Sequence, residues 1–307
     1  MAKTTLWYSN DTKNSFTTYN TKLTNQIKNG FSLPSSEYPG FKMKQLVNNE
    51  KLQLDTINTN YSLYECSVDN ASGNFIKFSL IVFDINGKVG FVLEKASGAL
   101  KLLRLLFSYG PSDKLVIEQE NYPSNTDVEK IFFLTIDKIY RKKGKISLTN
   151  NGKPINFDLN RLDSIKGRTS GSLNSVSTRG NDVINMLSTM SFLLETSMLS
   201  DITVALSFNR NTSITISIHT NNSQTQSTQI SADVFERKYS GYLRSKKNGF
   251  SNSDLDFQKL RASLLLMIHL EILPLIVKAL PASKYAKMKP LLNKKIVSDL
   301  QAQLAKL

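Results

Sequence analysis

The chain has 307 residues, 40% of them hydrophobic, and its 39 Lys and Arg against 25 Asp and Glu give a formal net charge of +14. That is enough apolar residue to bury a core, and the charge favours a polyanionic partner, nucleic acid or an acidic membrane surface. Cys66 is the only cysteine, which excludes an internal disulfide, and with His219 and His269 alone beside it a zinc site of Cys/His type cannot be assembled.

The opening, MAKTTLWYSNDTKNSF, is polar and has no apolar run of signal-peptide length, so a reducing, cytoplasmic setting is expected. A turn-rich stretch, FSLPSSEYPG, leads to four β-rich runs: FKMKQLV, NYSLYECSV, FIKFSLIVFDI and KVGFVLEK. Asn86-Gly87 between the last two predicts a two-residue type I′ hairpin, because both central residues of that turn need positive φ. Leu102, Leu105 and Leu106 then fall at helical spacing, and Gly110-Pro111 ends the helix.

The same order follows again, as KLVIEQE, EKIFFLTIDKIYR, GKISLTN and KPINFDLN, with a second Asn-Gly turn at Asn151-Gly152. A basic, glycine-rich link, SIKGRTSGSLNSVSTRG, precedes a predicted helix in NDVINMLSTMSFLLETSM, where Val183, Met186, Leu187, Met190, Leu193 and Leu194 make one stripe. Beyond residue 200 the pattern predicts a hairpin around Arg210-Asn211, a helix capped by Ser231, a long apolar helix interrupted at Pro274 and a basic helix pair from Ser283 to Leu307.

Charge is concentrated in two blocks. Residues 121–180 hold 11 basic and 5 acidic groups and residues 231–307 hold 14 and 6, while 1–120 are nearly balanced at 13 and 11. The densest stretch is KIYRKKGKISL at 138–148, where strand period sets Lys143, Lys145, Ser147 and Thr149 against Ile146 and Leu148. Phe75, Lys77 and Ser79 alternate with Ile76, Phe78 and Leu80 in the same way, and Lys42 pairs with Lys44. Sheets that present lysines with interspersed aromatics suit single strands, whose phosphates meet the cations while splayed bases stack on the rings. The candidate binding residues are Lys42, Lys44, Phe75, Lys77, Lys138, Tyr140, Arg141, Lys142, Lys143, Lys145, Lys153, Lys166 and Arg168.

Other chemistries find less support. Gly167-x-x-x-Gly171 lacks the Lys-Ser/Thr of a phosphate-binding loop and reads as a flexible link. His219 ends a strand and His269 lies in an apolar helix, so structural roles are expected of both. Asp84, Glu94 and Asp137 match no metal-ligand spacing. The apolar run from Ala262 to Leu280, 19 residues long, approaches membrane-spanning length, but His269, Glu271, Pro274 and Lys278 make it a buried packing helix instead. No catalytic residue, metal, cofactor, small-molecule substrate or membrane is expected.

The order (ββββα)×2 with a C-terminal extension resembles the Whirly fold, itself related to the PUR-type nucleic-acid-binding modules. Lys143-Gly144-Lys145-Ile146-Ser147-Leu148 is similar to the Lys-Gly-Lys-Ala-Ala-Leu strand motif of plant Whirly proteins, and FIKFSLIVFDINGKVGFVLEKASGALKLLRLLF has the strand, hairpin, strand, helix order of that family's second unit. The first match lies in the second repeat here, whereas the plant motif opens the first. The chain also looks like the Whirly-type RNA-binding core proteins of nucleus-forming jumbo bacteriophages, a family that binds messenger RNA and self-associates.

The resemblance implies an α+β fold of two packed antiparallel sheets in residues 1–199, then a β-hairpin and helices in 200–307 that serve self-association. It implies a non-enzymatic, largely sequence-independent binder of single strands, RNA ahead of DNA, oligomeric and, if phage-encoded, in the host cytoplasm. Two other classes stay open: an assembly protein that oligomerises through its C-terminal helices, and a nuclease or other DNA-processing enzyme.

Overall fold

The polar opening contains a strand and a helix. Ser15 accepts a hydrogen bond from the Thr18 backbone N–H at 3.2 Å and caps a helix whose Phe16, Tyr19 and Leu23 share one buried stripe. The computed structural model describes residues 3–69, 75–95, 97–110, 112–113, 116–120, 125–141, 146–150, 153–169, 175–179, 191, 194–208, 211–219, 229–231, 254–279 and 282–305.

The first elements are β1 (Lys3–Ser9), α1 (Phe16–Asn29), β2 (Lys42–Gln53), β3 (Asn58–Asp69), β4 (Phe75–Ile85), β5 (Lys88–Leu93), α2 (Ala99–Leu106) and β6 (Ile117–Gln119). Next come α3 (Asn125–Arg141), β7 (Ile146–Asn150), β8 (Lys153–Thr169), β9 (Ser175–Arg179), β10 (Thr196–Phe208), β11 (Asn211–His219) and β12 (Gln229–Ser231). The C-terminal region is helical: α4 (Asp254–Met267), a π-helical turn (Ile268–Ile272), α5 (Leu273–Ala279) and α6 (Ala282–Leu304). The fold is α+β with two antiparallel sheets. It divides into two units, residues 1–121 with 239–271 and residues 122–238 with 272–307. The expected boundary at 199/200 falls inside β10.

In the first unit the sheet order is β2-β3-β4-β5-β1-β6, antiparallel throughout. The predicted Asn86-Gly87 turn is present, with φ of 53° and 82°, and the Gly87 N–H donates to Asp84 Oδ1 at 2.8 Å. Alternate residues separate the two faces. Met43, Tyr64, Cys66, Phe78, Leu80 and Phe91 belong to a core shared with α1 and α2, where the Tyr19 ring meets Phe91 and Phe107 edge-on at 5.2 and 4.8 Å. On the opposite face Tyr61, Leu63, Ile81, Phe83 and Val92 are buried. Polar ties hold α4 and the π-turn to this sheet: Lys259 to Glu50 at 2.6 Å, Arg261 to Glu94 at 2.6 Å, and Glu271 to the loop after β2.

In the second unit β10 lies between β8 and β11, and β11 pairs with β12. The other edge of β8 carries β7 along its first part and β9 along its last. Helix α3 lies against β8 and β10. Along α6, Met288, Leu292 and Ile296 are buried at four-residue spacing, Tyr285 meets Phe133 edge-on at 5.5 Å, and Lys289 pairs with Glu129 at 2.6 Å.

Several expected elements differ. EKIFFLTIDKIYR, expected as a strand, forms the greater part of α3: Val128, Ile131, Phe132 and Thr135 recur at helical spacing and are all buried, so the packing stripe outweighs the β-propensity of Ile and Phe. The segment KLVIEQE does contain a strand, β6, but it pairs with β1 in the first sheet. The repeat therefore holds for β2 to β5 and α2 and does not recur in the second half.

The link at 164–180 is also largely strand. Ile165 and Gly167 are buried, β8 runs on to Thr169 against β10, and β9 covers Ser175–Arg179. Of the helix expected in 181–198, Thr196 to Met198 begin β10, and most of the remainder lies outside the described residues, as do the turn pair Asn151-Gly152 and residues 232–253, where the helix capped by Ser231 is expected. The hairpin around residue 210 forms as β10 and β11.

The apolar helix is not broken at Pro274. A π-turn immediately before it widens the backbone where the missing proline N–H would otherwise interrupt the ladder. Leu255–Lys278 is long and apolar enough to cross a membrane by length and composition, and 72% of its most apolar stretch is buried within the fold. The expected final helix pair is the single helix α6, which continues through Pro290.

Candidate nucleic-acid interface

On β2, β3 and β4 the side-chain rows that end in solvent carry the charge. Register places Lys42 opposite Ser67 and Ser67 opposite Lys77, with Lys44 opposite Glu65 and Glu65 opposite Ser79 in the next row. Residues directly opposite, and those two apart along a strand, share a face. Lys42, Lys44, Lys77 and Phe75 therefore stand together, while Met43, Cys66 and Phe78 between them point into the core with α1 and α2. The same face farther along the strands holds the buried Leu63 and Ile81.

These residues line a groove of about 290 Å³ formed by Lys42, Lys44, Glu65, Ser67, Phe75 and Lys77 with Met43. Phe75 is 61% exposed and its neighbour Ile76 51%, an unusual investment of apolar surface beside cations. Lys42 Nζ lies 5.8 Å from the Phe75 ring centre, within cation–π range. Glu65 is the one carboxylate in the lining and pairs with Lys77 at 3.4 Å. Both members of that pair are accessible, so water screens it and it constrains Lys77 weakly.

The other candidate residues belong to the second unit. Lys138, Tyr140 and Arg141 end α3, which makes the basic stretch a helix-to-strand junction instead of the expected strand-to-strand one. Lys142, Lys143 and Lys145 lie outside the described residues. Lys153 opens β8 opposite Asn150, and Arg168 stands opposite Ser175 and Met198. Lys166 is exposed, opposite Ser177 on one side and Asp201 on the other. Burial raises the Asp201 carboxyl, but hydrogen bonds from His219 and Ser200 outweigh that and hold it below its ordinary value. Lys166, Asp201 and His219 thus form a polar row across β8, β10 and β11, with His219 Nδ1 bonded to Asp201.

The remaining histidine and two of the expected strand acids, Asp84 and Glu94, have structural partners. His269 is buried on the π-turn, its Nε2 3.1 Å from Thr4 Oγ1, and burial drives its pKa down to about 3, so the ring is neutral. Asp84 holds the hairpin turn, Glu94 accepts from the Ser79 N–H at 3.0 Å, and Asp137 lies in α3. Burial pushes the Cys66 thiol up, which removes thiolate chemistry from it. Among the described residues no group of three or more His, Cys, Asp or Glu is placed to hold a metal.

The sequence reading missed α4 as a wall of this region. Leu255, Phe257 and Gln258 approach Lys44 and Lys77 from a stretch about 180 residues further along the chain. No local signal could announce that approach. No protein-family model matches the chain, and no curated protein matches it.

Proposed function

We propose that the protein is a non-enzymatic binder of single-stranded nucleic acid that uses the groove of Lys42, Lys44 and Lys77 beside Phe75. The observation that carries this reading is the juxtaposition of three lysines with an exposed aromatic ring on a sheet face that is buried farther along, at Leu63 and Ile81. Lysine ammonium groups meet phosphates without reading sequence, and a ring face accepts any base, each stacked base contributing about 1 to 3 kcal/mol. The consecutive strands β2 to β5 followed by α2 also agree with one unit of the Whirly order, which favours the same reading. RNA is placed ahead of DNA, and a phage source and cytoplasmic location are retained, on the resemblance alone.

Binding to a labelled homopolymer tests the proposal. The logarithm of affinity should fall linearly with the logarithm of salt, by about 0.7 for each phosphate neutralised. Replacing Lys42, Lys44 and Lys77 together by Ser should lower that slope by about 2 and weaken binding to every sequence alike. Affinity that is indifferent to salt, or to this triple substitution in a folded protein, would remove the groove as the site. Metal-dependent degradation of the same oligomer would point instead to a nuclease.

A second reading, assembly of copies of the chain through α6, is favoured by Leu291, Val297 and Leu304, exposed by 59, 39 and 60%. Light scattering on the protein with and without a long oligonucleotide separates assembly from strand binding.

A further inference from the structure

We propose that the groove continues into a pocket for one unstacked nucleotide, its phosphate on Lys44 and Lys77 and its base against the first turn of α4. This inference rests on the nucleic-acid reading of the groove and adds a base-contacting wall to it. The supporting observation is a second depression of about 540 Å³ that shares Lys44, Glu65 and Lys77 with the groove beside Phe75. Its volume lies in the range of about 300 to 1,000 Å³ typical of small-ligand sites. The added walls are Gln45 and Leu46 of β2 and Leu255, Phe257 and Gln258 of α4.

Charge and polarity are distributed as a nucleotide requires. Lys44 and Lys77 sit where the two depressions meet, two cations to the single Glu65 carboxylate between them, and Leu255, 40% exposed, offers apolar surface beyond them. A phosphodiester held between Lys44 and Lys77 carries a base on each side: one faces Phe75, the other reaches the Leu255 and Phe257 wall. The Gln258 side chain supplies an amide that both donates and accepts, so it matches the edge of any base. Beyond the groove's 290 Å³, the larger depression has room for a base that has left the stack.

The test compares an RNA oligomer with an abasic ribose-phosphate oligomer of equal length, measured against the full-length chain. The wild-type protein should bind the base-bearing strand about tenfold more tightly. Leu255→Ser, at an exposed position, should cut that ratio several-fold and leave abasic affinity and thermal stability unchanged, and Gln258→Ala should act in the same direction. If Phe75→Ser abolishes the ratio while Leu255→Ser and Gln258→Ala leave it intact, the pocket is overturned and the groove stands. If both strands bind equally well, neither aromatic nor apolar wall contacts bases and the pocket is likewise excluded. If neither strand binds at low salt, the nucleic-acid reading itself fails and the pocket with it.

Discussion

His269 and Glu271, two residues apart on the π-turn, respond to acid in opposite directions. The His269 ring stays neutral in the fold down to about pH 3, whereas in the unfolded chain it takes up a proton near its ordinary 6.5. Its contribution to stability is therefore whole above pH 6.5 and is lost below it at about 1.4 kcal/mol per pH unit. His269→Gln should flatten the decline of urea stability between pH 6 and 4, and an unchanged slope would show that another group governs it. Burial raises the Glu271 carboxyl, and hydrogen bonds from Thr56 only partly offset that. This carboxyl therefore stabilises the fold most below its ordinary 4.5 and progressively less as pH rises through its folded value. Glu271 Oε1 also accepts from Thr56 Oγ1 at 2.7 Å and from the Ile57 N–H at 3.0 Å, which fixes the loop between β2 and β3. Glu271→Ala leaves those donors without their acceptor and should cost about 2 kcal/mol or more in chemical denaturation, with Glu271→Gln costing less.

Between β4 and β5 the decisive contact is a close approach of ring to backbone. Phe83 faces Gly90 across the two strands, and a Cβ built on Gly90 would lie 2.2 Å from the ring's Cζ. The buried Phe83 ring also meets Tyr8 edge-on at 5.9 Å, so it has little freedom to withdraw. Gly90→Ala should destabilise the first unit by about 1 to 3 kcal/mol, read as a shift of the urea midpoint. An unshifted midpoint would mean that the ring moves freely. Element type follows the same logic of packing over propensity. In α3 the Thr135 hydroxyl returns a hydrogen bond to the Ile131 carbonyl at 2.7 Å, which a helix offers and a strand does not, and Val128 and Ile131 to Leu134 are buried.

Each unit is assembled from two separated stretches of chain, and that governs how the whole molecule tolerates cutting. A protein ending at Met198 would lack α4, leaving Lys259, Arg261, His269 and Glu271 absent from the first sheet. It would also lack most of β10, the strand that pairs β8 over its length, and all of β11. Such a chain should aggregate or melt without cooperativity. A soluble 1–198 fragment with a sharp thermal transition and native near-ultraviolet signal would overturn this. The apolar run from Ala262 to Leu280 reads from the sequence as a buried packing helix. Residues 264–273 are all buried in the single chain, so this part of the run is covered without a second copy.

Alternation and turn chemistry alone were enough to place β2 to β5, the Asn86-Gly87 hairpin and α2, because those elements contact their sequence neighbours and local pattern reports local pairing. Strand period also put Lys42 with Lys44 and Phe75 with Lys77, but the register of β2, β3 and β4 is what brings the two pairs to one face. Tertiary structure decided what local pattern does not encode. A short strand such as Lys3–Ser9 declares itself only when β5 and β6 flank it. EKIFFLTIDKIYR becomes helix because a sheet formed by later residues buries its helical stripe. The wall that Leu255 and Phe257 add beside Lys44 comes from about 200 residues away, and such long-range packing follows from which faces remain to be covered once the sheets have formed.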